Sequence, residues 1–87
     1  MQVRLLDLRP QTVKELEPLP QWIPADSETA LTHARAWGPS DLIVTMCACP
    51  GDATANQVAS DLQAAGFINT KALHGGFDAW LGNERSK

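Results

Sequence analysis

The sequence predicts a small α/β domain built on a parallel sheet. Three observations carry that expectation. Two apolar runs, Gln2 to Leu8 and Leu42 to Met46, and a short third segment, Asn69 to Leu73, have the length and character of strands. Segments at helical spacing, joined by short connections, lie between them, as right-handed crossovers between parallel strands require. The chain has 87 residues, which is room for one hydrophobic core, so residues 1–87 are expected to form one domain. Neither an internal repeat nor a low-complexity segment interrupts it.

Taken in order, Gln2 to Leu8 is rich in Val and Leu, stops before Pro10, and reads as a strand buried on both faces. Pro10, Pro18, Pro20 and Pro24 then allow one short helix over Thr12 to Leu16, followed by an irregular crossing anchored by Trp22 and Ile23. Asp26 or Ser27 can cap a helix running to about Trp37, with Ala30, Leu31, Ala34 and Trp37 on one face and Gly38-Pro39 as the stop. Leu42 to Met46 reads as a central strand that leads straight onto Cys47. Ala55, Val58, Ala59, Leu62 and Ala65 recur at helical spacing from about Thr54, and Gly66 ends that pattern. After the strand at Asn69 to Leu73, Gly75 and Gly76 introduce a last helical turn carrying Phe77, Trp80 and Leu81.

Composition narrows the function. With 44% hydrophobic and 20% charged residues and a formal net charge of -3, the chain reads as an ordinary soluble protein, neither disordered nor a basic nucleic-acid binder. Placement of charge says more. No Lys or Arg occurs between Arg35 and Lys71, whereas Asp41, Asp52 and Asp61 fall in that interval, so the middle of the chain is unsuited to a phosphate backbone. No apolar run approaches the ~20 residues of a membrane-spanning helix, and Met1 to Arg9 lacks the pattern of a secretory signal. A reducing, cytoplasmic setting is expected. The two cysteines, Cys47 and Cys49, are too few and too close to staple a secreted fold.

A strand ending at Cys47, a tight loop, and a helix starting near Thr54 would wrap backbone N–H groups above the cysteine sulfur and add the positive end of a helix dipole. Such a setting favours thiolate, the reactive form, and makes Cys47 a candidate nucleophile. A small cysteine packed at a strand end has the same local pattern, so both readings stand at this level.

Four landmarks, in order along nearly the whole chain, resemble the rhodanese domain family. Leu5-Leu6-Asp7-Leu8-Arg9 looks like its opening strand. Trp22-Ile23-Pro24-Ala25 is similar to its His-Ile-Pro-Gly-Ala segment, with Trp for His and the Gly missing. Ile43 to Cys47 resembles the strand leading into its active-site cysteine. Gly66-Phe67 with Leu73-His74-Gly75-Gly76-Phe77-Asp78-Ala79-Trp80 resembles its closing motif. The resemblance implies a small, three-layer, parallel-sheet fold and a sulfur-carrying nucleophile at Cys47. It implies a substrate-binding loop over Ala48, Cys49, Pro50, Gly51, Asp52 and Ala53, and structural support from Asp7 and Arg9. Asp7 is expected to bond backbone groups at the sheet's end and Arg9 to act as an ion-pair or loop anchor; His74 is left out of the site. The family's usual additional strand and helix before the segment matching Val3 to Arg9 have no room here, so the chain is expected to be either a shortened variant or cut from a longer polypeptide. A strand edge that they would cover then calls for a partner chain, a substitute edge, or reduced stability.

The loop departs from the family's common form. It is acidic, and Ala53 falls where phosphatase and arsenate reductase relatives need an Arg, so phosphoryl chemistry lacks its main stabilising group. Pro50 withdraws one backbone donor. These features suit a persulfide donor better than the thiosulfate dianion. The expected activity is transfer of sulfane sulfur through a Cys47 persulfide to a thiol or protein acceptor, without a cofactor or a metal, since Cys47 and Cys49 have no further ligands at suitable spacing. Cys49 could resolve the persulfide as an internal disulfide, although a bridge across one residue is strained. The alternative is a non-catalytic binding module, favoured by Trp22 and by the acidic loop.

Overall fold

The computed structural model describes residues 2–16, 18–47 and 53–75. Its elements follow the order β1 (Val3–Asp7), α1 (Gln11–Leu16), β2 (Ile23–Pro24), α2 (Thr29–Ala34), β3 (Leu42–Met46), α3 (Ala53–Ala64) and β4 (Thr70–Ala72). The four strands form one sheet in the order β2-β1-β3-β4, and every neighbouring pair is parallel. Strand β1 aligns with β3 from Val3 opposite Leu42 to Asp7 opposite Met46, and β3 aligns with β4 at Ile43 opposite Thr70.

Alternation along the strands divides the core into two layers. Leu6, Leu8, Ile43 and Cys47 pack with Ala30 and Ala34 of α2 and with Ala55, Val58 and Leu62 of α3. Met46 packs with Trp22 on the other side, where Leu5, Val44 and Leu73 join Val13 of α1 and Leu19. The connection leaving β1 runs to one side of the sheet and the two later ones run to the other. One handedness of crossover therefore puts α1 on the face opposite α2 and α3, which gives the three layers.

Local chemistry explains the element ends. The Asp26 carboxylate accepts the N–H groups of Glu28 (2.9 Å) and Thr29 (2.8 Å), while the Thr29 hydroxyl accepts the Asp26 N–H at 2.9 Å. Asp26, rather than Ser27, thus caps the turn that leads into α2. At the end of α3, Phe67 N–H donates to Leu62 C=O (3.0 Å) and Gly66 N–H to Gln63 C=O (3.1 Å), with Gly66 at φ +106. That paired arrangement is a Schellman stop, and Phe67 folds back against the core that holds Leu62.

Three expectations need correction. The segment around Ile23 is not an irregular crossing: Ile23–Pro24 pairs with Leu6 and Asp7 as an edge strand, followed by Ala25 N–H donating to Asp7 C=O at 2.9 Å. Pro24 is tolerated because an edge strand has a side that needs no donor. Helix α2 ends at Ala34, and single turns, with Ala36 bonded to His33 and Trp37 to Ala34, carry the chain on to Trp37. Strand β1 is not buried on both faces throughout, since Val3 is 58% exposed and only Leu6 and Asp7 are buried. The last helical turn expected at Phe77 to Leu81 lies outside the described residues, as does Gly76. Beyond β4 no further strand occurs among the described residues. Gln63 of α3 donates its Nε2 to the Thr70 carbonyl at 2.7 Å, so a side chain satisfies a backbone acceptor of this edge strand.

Candidate active site

In a parallel sheet whose connections diverge, the carboxyl ends of the two diverging strands border a crevice. Here the chain leaves β1 toward β2 and leaves β3 toward β4, so the crevice lies between the ends of β1 and β3. Leu8 N–H donates to Met46 C=O at 2.8 Å and closes the sheet at that point. Cys47 follows immediately, 1% exposed, packed in the same core cluster as Leu8, Ala25 and Ala55. Its thiol is unpaired by any disulfide among the described residues. Ala53 is the exposed first residue of α3, a helix of 12 residues whose amino end carries the partial positive charge of unsatisfied N–H groups. Ala48, Cys49, Pro50, Gly51 and Asp52 lie outside the described residues.

Thr45 ties the two ends of this segment together. Its hydroxyl, fully buried two residues before Cys47 on the same face of β3, donates to the Ala55 carbonyl at 2.8 Å. Sequence reasoning passed over it. A polar residue inside the apolar run from Leu42 to Met46 was the available signal, because a buried hydroxyl needs a partner.

Asp7 and Arg9 form one unit at the end of β1. Asp7 Oδ1 accepts Arg9 Nε at 2.9 Å and the Arg9 backbone N–H at 3.1 Å, while Oδ2 accepts Arg9 Nη2 at 2.8 Å. The side chains are 4% and 0% exposed. This two-point pairing, added to a backbone bond, makes the turn after β1 rigid. Both side chains line a cleft of about 290 Å³ with Lys14, Pro18, Leu19, Pro20, Trp22 and Pro24, on the face opposite α2 and α3. Cys47 does not line that cleft. The structure therefore brings Asp7 and Arg9 to the same end of the sheet as Cys47, and to its other face. Lys14 Nζ donates to Ala25 C=O at 3.0 Å and fastens α1 to the end of β2. Trp22 packs on Met46, the residue ahead of Cys47, from the same side. His74 sits exposed in the turn after β4.

A second polar knot lies at the opposite end of the sheet. Asp41 accepts the Gln2 N–H (3.1 Å), Arg4 Nε (3.2 Å) and the Gly38 N–H (3.3 Å), which joins the starts of β1 and β3. The bond from Gln2, helped by Arg4 and Gly38, holds the Asp41 carboxyl below its ordinary value. Arg4 also lies over the Trp37 ring at 5.3 Å, and His33 stacks on Trp37. Among the described residues no group of three or more metal-ligating side chains assembles. No helix among them is long and apolar enough to cross a membrane.

A four-stranded parallel sheet covered on both faces, with a cysteine at the end of an inner strand and a helix just beyond it, defines a small three-layer α/β domain. Among solved structures, the chain is similar to the crystal structure of the Rhodanese_3-like domain of an Anabaena sp. protein. The two share 25% sequence identity and superpose with a TM-score of 0.78, over 92% of this chain and 91% of that one. No family model matches the sequence, and no curated protein does. In fold the chain is a rhodanese-like domain, the architecture of the sulfurtransferase superfamily.

Proposed function

We propose that this domain acts as a sulfurtransferase that carries sulfane sulfur on Cys47. The observation behind this reading is the position of Cys47: the carboxyl end of β3, beside the crevice where the chain's connections diverge, ahead of α3. In the first step the Cys47 thiolate attacks the outer sulfur of a persulfide donor. A new S–S bond forms at Cys47, the donor's S–S bond breaks, and the donor leaves as a thiolate with the electron pair. In the second, an acceptor thiolate attacks the outer sulfur of the Cys47 persulfide, becomes a persulfide itself, and releases the Cys47 thiolate. Electrons balance without an external oxidant or cofactor.

In this reading substrate binds at residues 48–52 and at Ala53, which the sequence placed in the loop and which is instead the first residue of α3, and Asp7 and Arg9 stiffen the strand end that the site rests on. With no Lys or Arg between residues 35 and 71, an uncharged or singly charged persulfide suits the loop better than thiosulfate. A thiol chemistry of this kind belongs in a reducing compartment, consistent with a cytoplasmic setting. Replacing Cys47 by Ser tests the assignment: sulfur transfer from a persulfide donor to a thiol should be abolished, and a wild-type rate in that variant would overturn it. The near-complete burial of Cys47 favours a second reading, a non-catalytic binding module in which the cysteine is a packing residue. A module of that kind would take up no sulfur from any donor.

A further inference from the structure

Thr45 occupies a place that its own burial does not explain. Ile43, Thr45 and Cys47 alternate onto the same face of β3, and Val, with the same branching at Cβ, suits a strand as well as Thr does. The hydroxyl instead reaches the first turn of α3, ten residues on, and donates to Ala55 C=O at 2.8 Å. Inside an α-helix, the carbonyl of a first-turn residue already receives the N–H four residues later, so Ala55 has no need of a second donor. What the bond adds is a fixed separation between the strand that ends on Cys47 and the helix that begins at Ala53. Both atoms are buried, in residues that are fully inaccessible to solvent, so water does not compete for the contact.

We propose that Thr45 is a positioning residue for Cys47: its bond to the Ala55 carbonyl fixes the first turn of α3 relative to the strand that ends on Cys47, and the reactivity of the thiol depends on that placement. This rests on the assignment of Cys47 as the nucleophile. The chemistry is simple. A thiolate gains from N–H groups and a helix dipole only while they stay aimed at the sulfur, and that gain falls steeply with displacement. Thr45 touches neither sulfur donor nor acceptor, and acts through the geometry of the two elements.

The test compares Thr45→Val, which keeps the shape and loses the hydroxyl, with Thr45→Ser, which keeps the hydroxyl and loses a methyl. All keep Cys49, and alkylation is scored on Cys47 itself by fragment-level peptide mapping. Iodoacetamide alkylation of Cys47 is followed against pH, alongside kcat and KM for sulfur transfer and a urea melt. Expected for Thr45→Val is an alkylation profile displaced to higher pH and a kcat lower by about five- to tenfold. KM should be nearly unchanged and the urea midpoint close to the parent's, whereas Thr45→Ser should restore the profile and kcat to within about twofold. A folded Thr45→Val with the parent's pH profile overturns the proposal, and so does a Thr45→Ser that fails to restore the profile. Should Thr45→Val fold poorly, Thr45→Ala judged against Thr45→Ser gives the same comparison. The alkylation profile needs no sulfur donor, so it reads Thr45 even if Cys47 proves unable to carry sulfur; absence of transfer in the parent would sink the sulfurtransferase assignment and leave the profile standing.

Discussion

Changing Asp7 to Asn removes one negative charge from the interior and leaves the Arg9 guanidinium, with a side chain inaccessible to solvent, facing a neutral amide. The Asn carbonyl can keep the bonds now made by Oδ1, from Arg9 Nε at 2.9 Å and the Arg9 N–H at 3.1 Å. In place of Oδ2 the new amide nitrogen meets Arg9 Nη2, at a separation now 2.8 Å, donor against donor. One charge-assisted hydrogen bond is lost outright, about 1.5–3 kcal/mol, and the buried pair of Asp7 with Arg9 loses its negative member. Breaking a buried pair from one side costs about 3–5 kcal/mol in total. A domain of this length has about 4–13 kcal/mol to lose, so the variant should be marginal. In urea, with a slope of about 1–2 kcal/mol per molar, the midpoint should fall by about 1.5–5 M with the slope unchanged. A loss under about 1 kcal/mol for Asp7→Asn would refute the view that this pair braces the sheet's end.

Two further outcomes follow from the same structure. Asp41 has its carboxyl lowered from 3.8 by the Gln2 N–H and by Arg4 and Gly38. Its contribution to stability is therefore fully present above the unfolded value and is lost as pH falls through the lower, folded one. Urea midpoints measured as the pH falls from about 5 to 2 should decline less steeply in Asp41→Asn than in the parent, and equal slopes would contradict this. Gly66→Ala meets no atom within 4 Å, so its cost is the backbone strain of φ +106 alone; a loss of about 1–2 kcal/mol is expected by chemical denaturation, and a neutral change would be the contrary result.

Helix α3 was legible in the sequence because Ala55, Val58, Ala59 and Leu62 repeat at helical spacing and Gly66 supplies the one backbone conformation its stop needs. Strands β1 and β3 were legible from their apolar runs and β4 from its place after α3, each within one residue at either end. Strand β2 was not, since two residues that include a proline become a strand only by lying against Leu6 and Asp7, a relation no local pattern encodes. The candidate site divides in the same way. Cys47 stands out from its position after an apolar run, and Asp7 and Arg9 from a motif. Their division between opposite faces of the sheet depends on which helices cover which side. The Thr45 bond to Ala55 joins two elements and likewise emerges only in three dimensions. The question of the exposed edge also becomes more specific, with Gln63 seated on the Thr70 carbonyl of β4 and Pro24 on the edge strand at the other side.

The central claim is that Cys47 carries sulfur. Incubating the reduced protein with a small-molecule persulfide, removing the excess, and measuring intact mass with peptide mapping tests it most directly. The expected product is about 32 Da heavier, one sulfur atom, with the addition on Cys47, and it returns to the starting mass when a thiol acceptor is added. Unchanged mass with several sulfane-sulfur donors, or an adduct on Cys49 with Cys47 untouched, would contradict the account.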